Sequence, residues 1–167
     1  MERVLVIDPS ECTGCHICET MCSLYHEQEV NPEKSRIRII TLEEEGNLID
    51  IPINCMMCED APCQAICPTN AIYTSTTGAK LTNPDKCIGC NACVFACPFG
   101  ATYVDRNKGI AVMCDLCDGD PLCVKFCPAG CLQFLKPEEV SIRLRRSRMN
   151  EFLKFLKMTT TMTPEEG

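Results

Sequence analysis

The chain has 167 residues, a formal net charge of −7, 5% aromatic residues and no Trp. So little aromatic bulk leaves a thin core if side chains alone must build it, and the negative balance argues against nucleic acid as a partner. Seventeen cysteines, about a tenth of the residues, point instead to cross-linking by metal or disulfide in place of part of the hydrophobic core.

In chain order, Val4 to Ile7 is the first predicted strand. Its apolar run ends at Asp8 and is far too short for an export signal, and no stretch offers the roughly 18 apolar residues of a bilayer span. The expectation is a cytoplasmic chain, and in a reducing compartment dense cysteine argues for metal over disulfide. The first cysteine quartet follows, Cys12-x-x-Cys15-x-x-Cys18-x-x-x-Cys22, with Ser23 after its last member. Ile37 to Leu42 and Leu48 to Ile53 read as a β-hairpin, joined by the acidic turn Glu43 to Asn47. The second quartet widens the central gap, Cys55-x-x-Cys58-x4-Cys63-x-x-x-Cys67-Pro68. Ala71 to Tyr73 and Lys80 to Thr82, around Thr77-Gly78, form the next hairpin. The third quartet is Cys87-x-x-Cys90-x-x-Cys93-x-x-x-Cys97-Pro98. Ala101 to Val104 and Ile110 to Met113 make a third hairpin around Asp105 to Gly109. The fourth quartet, Cys114-x-x-Cys117-x5-Cys123-x-x-x-Cys127-Pro128, is closed by the strand Leu132 to Leu135. After Pro137 a helix is predicted from Glu138 toward Met158, with Met149, Phe152, Leu153 and Leu156 on one stripe.

The spacing has a physical reason. Three thiolates at three-residue intervals let a tight loop wrap one face of a [4Fe-4S] cube while its backbone N–H groups point at the sulfurs. Gly14 and Gly89, between the first two ligands of their quartets, suit a left-handed turn or a close backbone approach. The fourth Cys stands at the edge of a short helix, where the following Pro fixes the chain direction. Its thiolate faces away from its own loop, as in two-cluster ferredoxins, where the last Cys of each run ligates the other cluster.

These motifs resemble the four-cluster ferredoxin subunit family, over about Val4 to Leu135. The most specific segments are Cys12-Thr13-Gly14-Cys15-His16-Ile17-Cys18-Glu19, Cys67-Pro68-Thr69-Asn70-Ala71-Ile72 and the run from Cys114 to Pro128. The family includes iron–sulfur subunits of dimethyl sulfoxide reductase-type enzymes, ferredoxin-like subunits of carbon monoxide dehydrogenase and formate hydrogenlyase systems, and small subunits of tungsten aldehyde oxidoreductases. The resemblance implies an α+β fold of two nested ferredoxin-like bicluster halves with an inserted β-hairpin and a C-terminal helix. The outer half would be residues 1–30 and 105–136, the hairpin insertion 31–54, the inner half 55–104, and the helix and tail 137–167. It also implies four [4Fe-4S] clusters, with four ligand sets. Cluster a would take Cys12, Cys15, Cys18 and Cys127, and cluster b Cys22, Cys114, Cys117 and Cys123. Cluster c would take Cys55, Cys58, Cys63 and Cys97, and cluster d Cys67, Cys87, Cys90 and Cys93. Two departures stand out. Met56 and Met57 occupy a gap where relatives often place His, and Cys131 stands where Ala is usual and is read as a small buried thiol rather than a ligand.

Other readings are weaker. A zinc-ribbon array predicts separated cysteine pairs, whereas a third Cys follows at once in quartets one and three and Pro follows the last Cys of three quartets. A disulfide framework is disfavoured by the odd count and the absent export signal. No dinucleotide fingerprint or Ser/His/Asp constellation occurs and no residue reads as catalytic; His16 and His26, the two histidines, read as structural, with hydrogen bonding near a cluster as the alternative. The predicted role is therefore electron transfer without catalysis, for a large oxidoreductase subunit. A tungsten or molybdenum pterin enzyme of the aldehyde oxidoreductase type comes first, and hydrogenase and carbon monoxide dehydrogenase systems, or a free polyferredoxin shuttle, are the alternatives. A flavin or other redox subunit is a further expected partner. Residues 140–158 carry +5 against −12 for the rest of the chain, so the C-terminal helix reads as a basic docking arm, toward the catalytic subunit or a second copy.

Overall fold

A computed structural model describes residues 3–142 and Met149. The architecture is α+β: among the described residues eight strands pair as four two-stranded ribbons, with four short helices between them. Strand β1 (Val4–Ile7) pairs with β8 (Leu132–Leu135), and the Asp8 N–H donates to the Cys131 carbonyl at 2.8 Å. Strands β2 (Arg38–Glu44) and β3 (Asn47–Ile53) form an antiparallel hairpin in register from Arg38 opposite Ile53 to Glu44 opposite Asn47. The turn is therefore shorter than the five residues expected. It is Glu45-Gly46 alone, with φ of +52° and +80°, the left-handed pair that matches strand twist in a two-residue loop. Glu43 and Glu44 suggested a loop by their charge, yet this end of the ribbon is exposed and acidic side chains stay solvated there.

Strands β4 (Ile72–Thr74) and β5 (Lys80–Thr82), then β6 (Tyr103–Asp105) and β7 (Ile110–Val112), lie within two residues of their predicted spans. The Asp105 carboxylate accepts the N–H groups of Asn107 at 2.8 Å and Lys108 at 3.1 Å, which closes the β6–β7 turn. Tyr103 donates its hydroxyl to the Lys34 carbonyl at 2.8 Å, and Lys108 meets Glu27 at 2.6 Å, so this hairpin is tied to the segment that follows the first quartet.

The helices are α1 (Ile17–Glu27), α2 (Pro62–Ala65), α3 (Ala92–Ala96) and α4 (Leu122–Lys125). In each, the third cysteine of the quartet is the second helical residue, and all four of these cysteines, Cys18, Cys63, Cys93 and Cys123, are buried. Three helices stop within two residues of the fourth cysteine, because Pro68, Pro98 and Pro128 cannot continue them. The first does not stop. Ser23 replaces Pro there, its hydroxyl donates to the Thr20 carbonyl at 3.1 Å, and α1 runs on to Glu27, where Gln28 in the left-handed region donates to the Leu24 carbonyl. This eleven-residue helix was not among the predicted elements.

Helix α1 packs on α4 and α2 on α3. One core cluster joins Cys18, Cys22, Ile37, Cys123, Cys131 and Leu132, and a second joins Ala61, Cys63, Ile72, Cys93, Ala111 and Met113. A third, of Met57, Ala79 and Leu116, is flanked by Leu5, Cys55, Cys114 and Phe134. Cysteine thus does much of what Leu and Ile do elsewhere. The described residues divide into two units, Leu5–Phe134 and a second that takes Arg3, Val4 and the described residues from Leu135 onward. In the second, a helix starts at residue 137, one position before the predicted start. Lys136 donates its N–H to the Glu139 carboxylate at 3.0 Å, which is half of a capping box, with Pro137 at the first helical position. The expected basic stretch from Arg143 to Lys157, with Phe152, Leu153 and Leu156, lies outside the described residues; Met149 is helical and exposed. Among the described residues no helix is long and apolar enough to cross a membrane.

Candidate metal centres

The helix starts and the loops before them bring cysteines from distant parts of the chain together. One cavity is lined by Cys12, Cys15 and Cys18 with Cys127, and a second by Cys114, Cys117 and Cys123 with Cys22. A third is lined by Cys87, Cys90 and Cys93 with Cys67. Around Cys55 the interacting thiols are Cys63, Cys58 and Cys97. Each grouping mixes three sulfurs of one quartet with the last sulfur of another. Backbone N–H groups point at several of them: Arg36 to Cys22 at 3.2 Å, Ala71 to Cys67 at 3.3 Å and Ala111 to Cys87 at 3.4 Å. Neighbouring groups also touch electrostatically. Cys123 feels Cys18, Cys114 feels Cys55, and Cys93 feels Cys63, which sets the four sites in the order a, b, c, d.

Assembling thiols in this way is unfavourable unless something cationic joins them. Burial pushes Cys18 and Cys114 up to about 12 and Cys93 up to about 11, and neighbouring cysteines add to each. Cys123 is raised for the same reasons. Cys67 and Cys127 go the other way: burial raises them, but donors outweigh it, led by the Ala71 N–H for Cys67 and the Leu132 N–H for Cys127. The Cys131 thiol lies 3.6 Å from Cys127 Sγ and is raised by burial first, then by Cys127.

Side chains other than cysteine also surround the second cavity. His26, one helical turn beyond Cys22, has Nε2 at 3.9 Å from Cys117 Sγ and 3.4 Å from Asp115 Oδ1. Asp115 Oδ2 accepts Arg36 Nη1 at 2.5 Å. Burial, then the Arg36 guanidinium, hold His26 below its ordinary value, so the ring is neutral near pH 7. Arg36 and Asn54 also line the cavity, and Arg36 Nε and Asn54 Nδ2 are buried without a hydrogen-bond partner among the described residues. The sequence held one signal for His26, its spacing from Cys22, which carries weight only once α1 is known to continue past Ser23. His16, by contrast, caps α1 in a left-handed conformation and bonds Glu19 at 2.6 Å, while Glu19 also accepts the Ile39 N–H at 2.9 Å. Its role is to fix the first ligand loop against β2.

Gly89 is where a ligand loop can least accept a side chain. Its φ is +66°, and an added Cβ would lie 2.6 Å from the Gly109 carbonyl oxygen, which is backbone and cannot swing aside. Gly89→Ala should cost about 2 kcal/mol or more, read as a lowered thermal midpoint together with reduced iron retention.

Sulfur-only donor sets with convergent N–H groups define a thiolate metal-binding protein, of the kind suited to zinc, copper(I) or iron–sulfur chemistry. The orphaned N–H donors favour the last of these, since a cube supplies acceptor sulfides as well as iron. Residues 47–136, more than half of the chain, match the model of the 4Fe-4S dicluster domain, and the chain belongs to that family. The matched span holds quartets two, three and four and leaves the first outside. The chain is 46% identical over 97 residues to the polyferredoxin-like subunit of an aliphatic sulfonate oxidoreductase from Pyrococcus furiosus, covering 57% of this chain and 54% of that one. It is 40% identical over 96 residues to formate hydrogenlyase subunit 2 of Escherichia coli (58% and 45%), and 37% identical over 91 residues to a formate dehydrogenase iron–sulfur subunit of Wolinella succinogenes (53% and 44%). The chain thus spans about half the length of the curated relatives it matches.

Proposed function

We propose that this chain is the electron-relay subunit of an oxidoreductase complex, holding four [4Fe-4S] clusters on the sixteen cysteines assigned above, with two ferredoxin-like halves nested one in the other. The observation that carries the reading is the mixed origin of each sulfur group: three donors from one loop and a fourth from a distant one, four times over. Bound clusters supply one-electron redox chemistry at sulfur-ligated iron. The protein's part is to hold the thiolates deprotonated against the iron, to aim N–H groups at sulfur and to keep water out of the inner sites. Cys131 serves as a packing thiol beside Cys127.

The order of the sites supports relay over storage. Cys15 in the first site and Cys90 in the last are exposed, whereas no cysteine of the second or third is. Electrons would enter and leave at the ends. Around Cys90 the apolar side chains Ile88 and Phe95 are 66% and 89% exposed, more than a free shuttle gains by presenting to water, and a partner surface would cover them. Substrate chemistry belongs to that partner. A tungsten or molybdenum pterin enzyme of the aldehyde oxidoreductase type is favoured on the resemblance given above, with hydrogenase and carbon monoxide dehydrogenase systems as the alternative, and the complex is placed in the cytoplasm.

Anaerobic purification with co-purifying chains tests the reading. About sixteen irons per chain and a large redox subunit in the same peak are expected. Zinc in place of iron, or iron near half that value, would overturn the four-cluster assignment.

A further inference from the structure

The cysteine-lined cavities are not equivalent. The one at Cys22, Cys114, Cys117 and Cys123 has three side-chain N–H donors at its wall, on His26, Arg36 and Asn54. His26 carries its proton on Nε2, because the two acceptors near the ring, Asp115 Oδ1 and Cys117 Sγ, both face that nitrogen. Asn54 is 2% exposed, and neither its Nδ2 nor Arg36 Nε has an acceptor among the described residues. A buried donor left unpaired is costly, and Thr82 Oγ1, the remaining unpartnered buried side-chain atom among the described residues, lines none of these cavities.

The other two cavities are furnished differently. Around Cys87, Cys90 and Cys93 the side-chain amide is that of the exposed Asn91, whose Nδ2 is engaged by the Gly89 carbonyl. Around Cys12, Cys15 and Cys18 the half-exposed His16 ring is engaged by Glu19. Neither cavity is lined by Arg or Lys. Asp115, which faces the Cys117 site, is ion-paired to Arg36, so its charge is offset locally.

We infer that His26, Arg36 and Asn54 are positioning residues that donate N–H bonds to the group held by Cys22, Cys114, Cys117 and Cys123, making this second site more readily reduced than those at the Cys12 and Cys87 loops. This rests on the four-cluster reading. Reduction adds one electron, drawn from the redox partner in the complex or from dithionite in a titration, and N–H donors stabilise the more negative reduced state. An interior site with this bias collects the electron before those two end sites and parts with it after them.

The test is a redox titration of the anaerobic full chain followed by electron paramagnetic resonance, with the signal assigned through Cys123→Ser. In the wild type this centre should be reduced ahead of those at the Cys12 and Cys87 loops. In Asn54→Leu, and in Arg36→Met, which keeps the backbone N–H to Cys22, the reduction equilibrium of that centre alone should fall about tenfold, equivalent to about 59 mV for one electron. His26→Phe is read in parallel in case Asn54→Leu fails to assemble. The inference stands if a variant that retains its iron shows the selective shift. It falls if every iron-retaining variant leaves the midpoint in place or moves all four centres alike. Wild-type iron far short of about sixteen per chain would instead sink the underlying four-cluster reading.

Discussion

Replacing Cys22 and Cys114 together by Ala should remove one cluster, leaving about twelve irons per chain, the same content as either single variant. The two residues are 92 positions apart by their numbering and belong to different quartets. If each quartet filled its own site, the double variant would damage two sites and leave about eight irons. The expectation of twelve follows from the cavity that Cys22 shares with Cys114, Cys117 and Cys123, and from the Cys22 thiol being among those that raise Cys114 and Cys123. The complementary pair, Cys22 with Cys12, should leave about eight, since those sulfurs face different cavities. Total iron and acid-labile sulfide on anaerobic protein decide the matter without any assay of activity.

Removing iron should abolish cooperative unfolding rather than merely lower its midpoint. Six of the buried apolar residues are cysteines, five of them assigned ligands, and they sit at the centre of two of the three core clusters. Stripped of metal, those thiols have burial and mutual repulsion against their ionised forms and weak packing as neutral groups. The helices they begin, at four or five residues for α2, α3 and α4, are too short to persist alone. A domain of this size holds about 5–15 kcal/mol of net stability, and metal ligation is itself folding free energy. Chelator under reducing, anaerobic conditions should therefore leave a chain with a featureless thermal profile by circular dichroism. A sharp transition surviving in iron-free protein would show that side-chain packing suffices.

The ligand loops were the most legible part of the sequence, because spacing and Pro fix them locally. Three helices end beside Pro68, Pro98 and Pro128, and β8 occupies its predicted span, Leu132–Leu135. Elements governed by what is absent were harder to see. Nothing at Ser23 announces a helix; the missing Pro permits one, and the hydroxyl bonds that sustain it depend on Asn31, eight residues away. Charge misled in the β2–β3 turn, where acidic strand residues resemble loop. At the second cavity, Arg36 and Asn54 come from segments with no motif of their own, and only tertiary folding brings them to Cys117. His26 was read as structural, and its approach to Cys117 likewise emerges only from tertiary folding.

The hydroxyl at position 23 has a wider meaning. Where proline closes the other quartets, the helix ends beside the fourth sulfur; here an extra turn and a half of helix carries an imidazole to the cavity that Cys22 shares with the fourth quartet. If these side-chain donors set the poise of that site, coordination and redox adjustment fall to separate residues, and one centre is retuned through a single codon with every thiolate ligand kept.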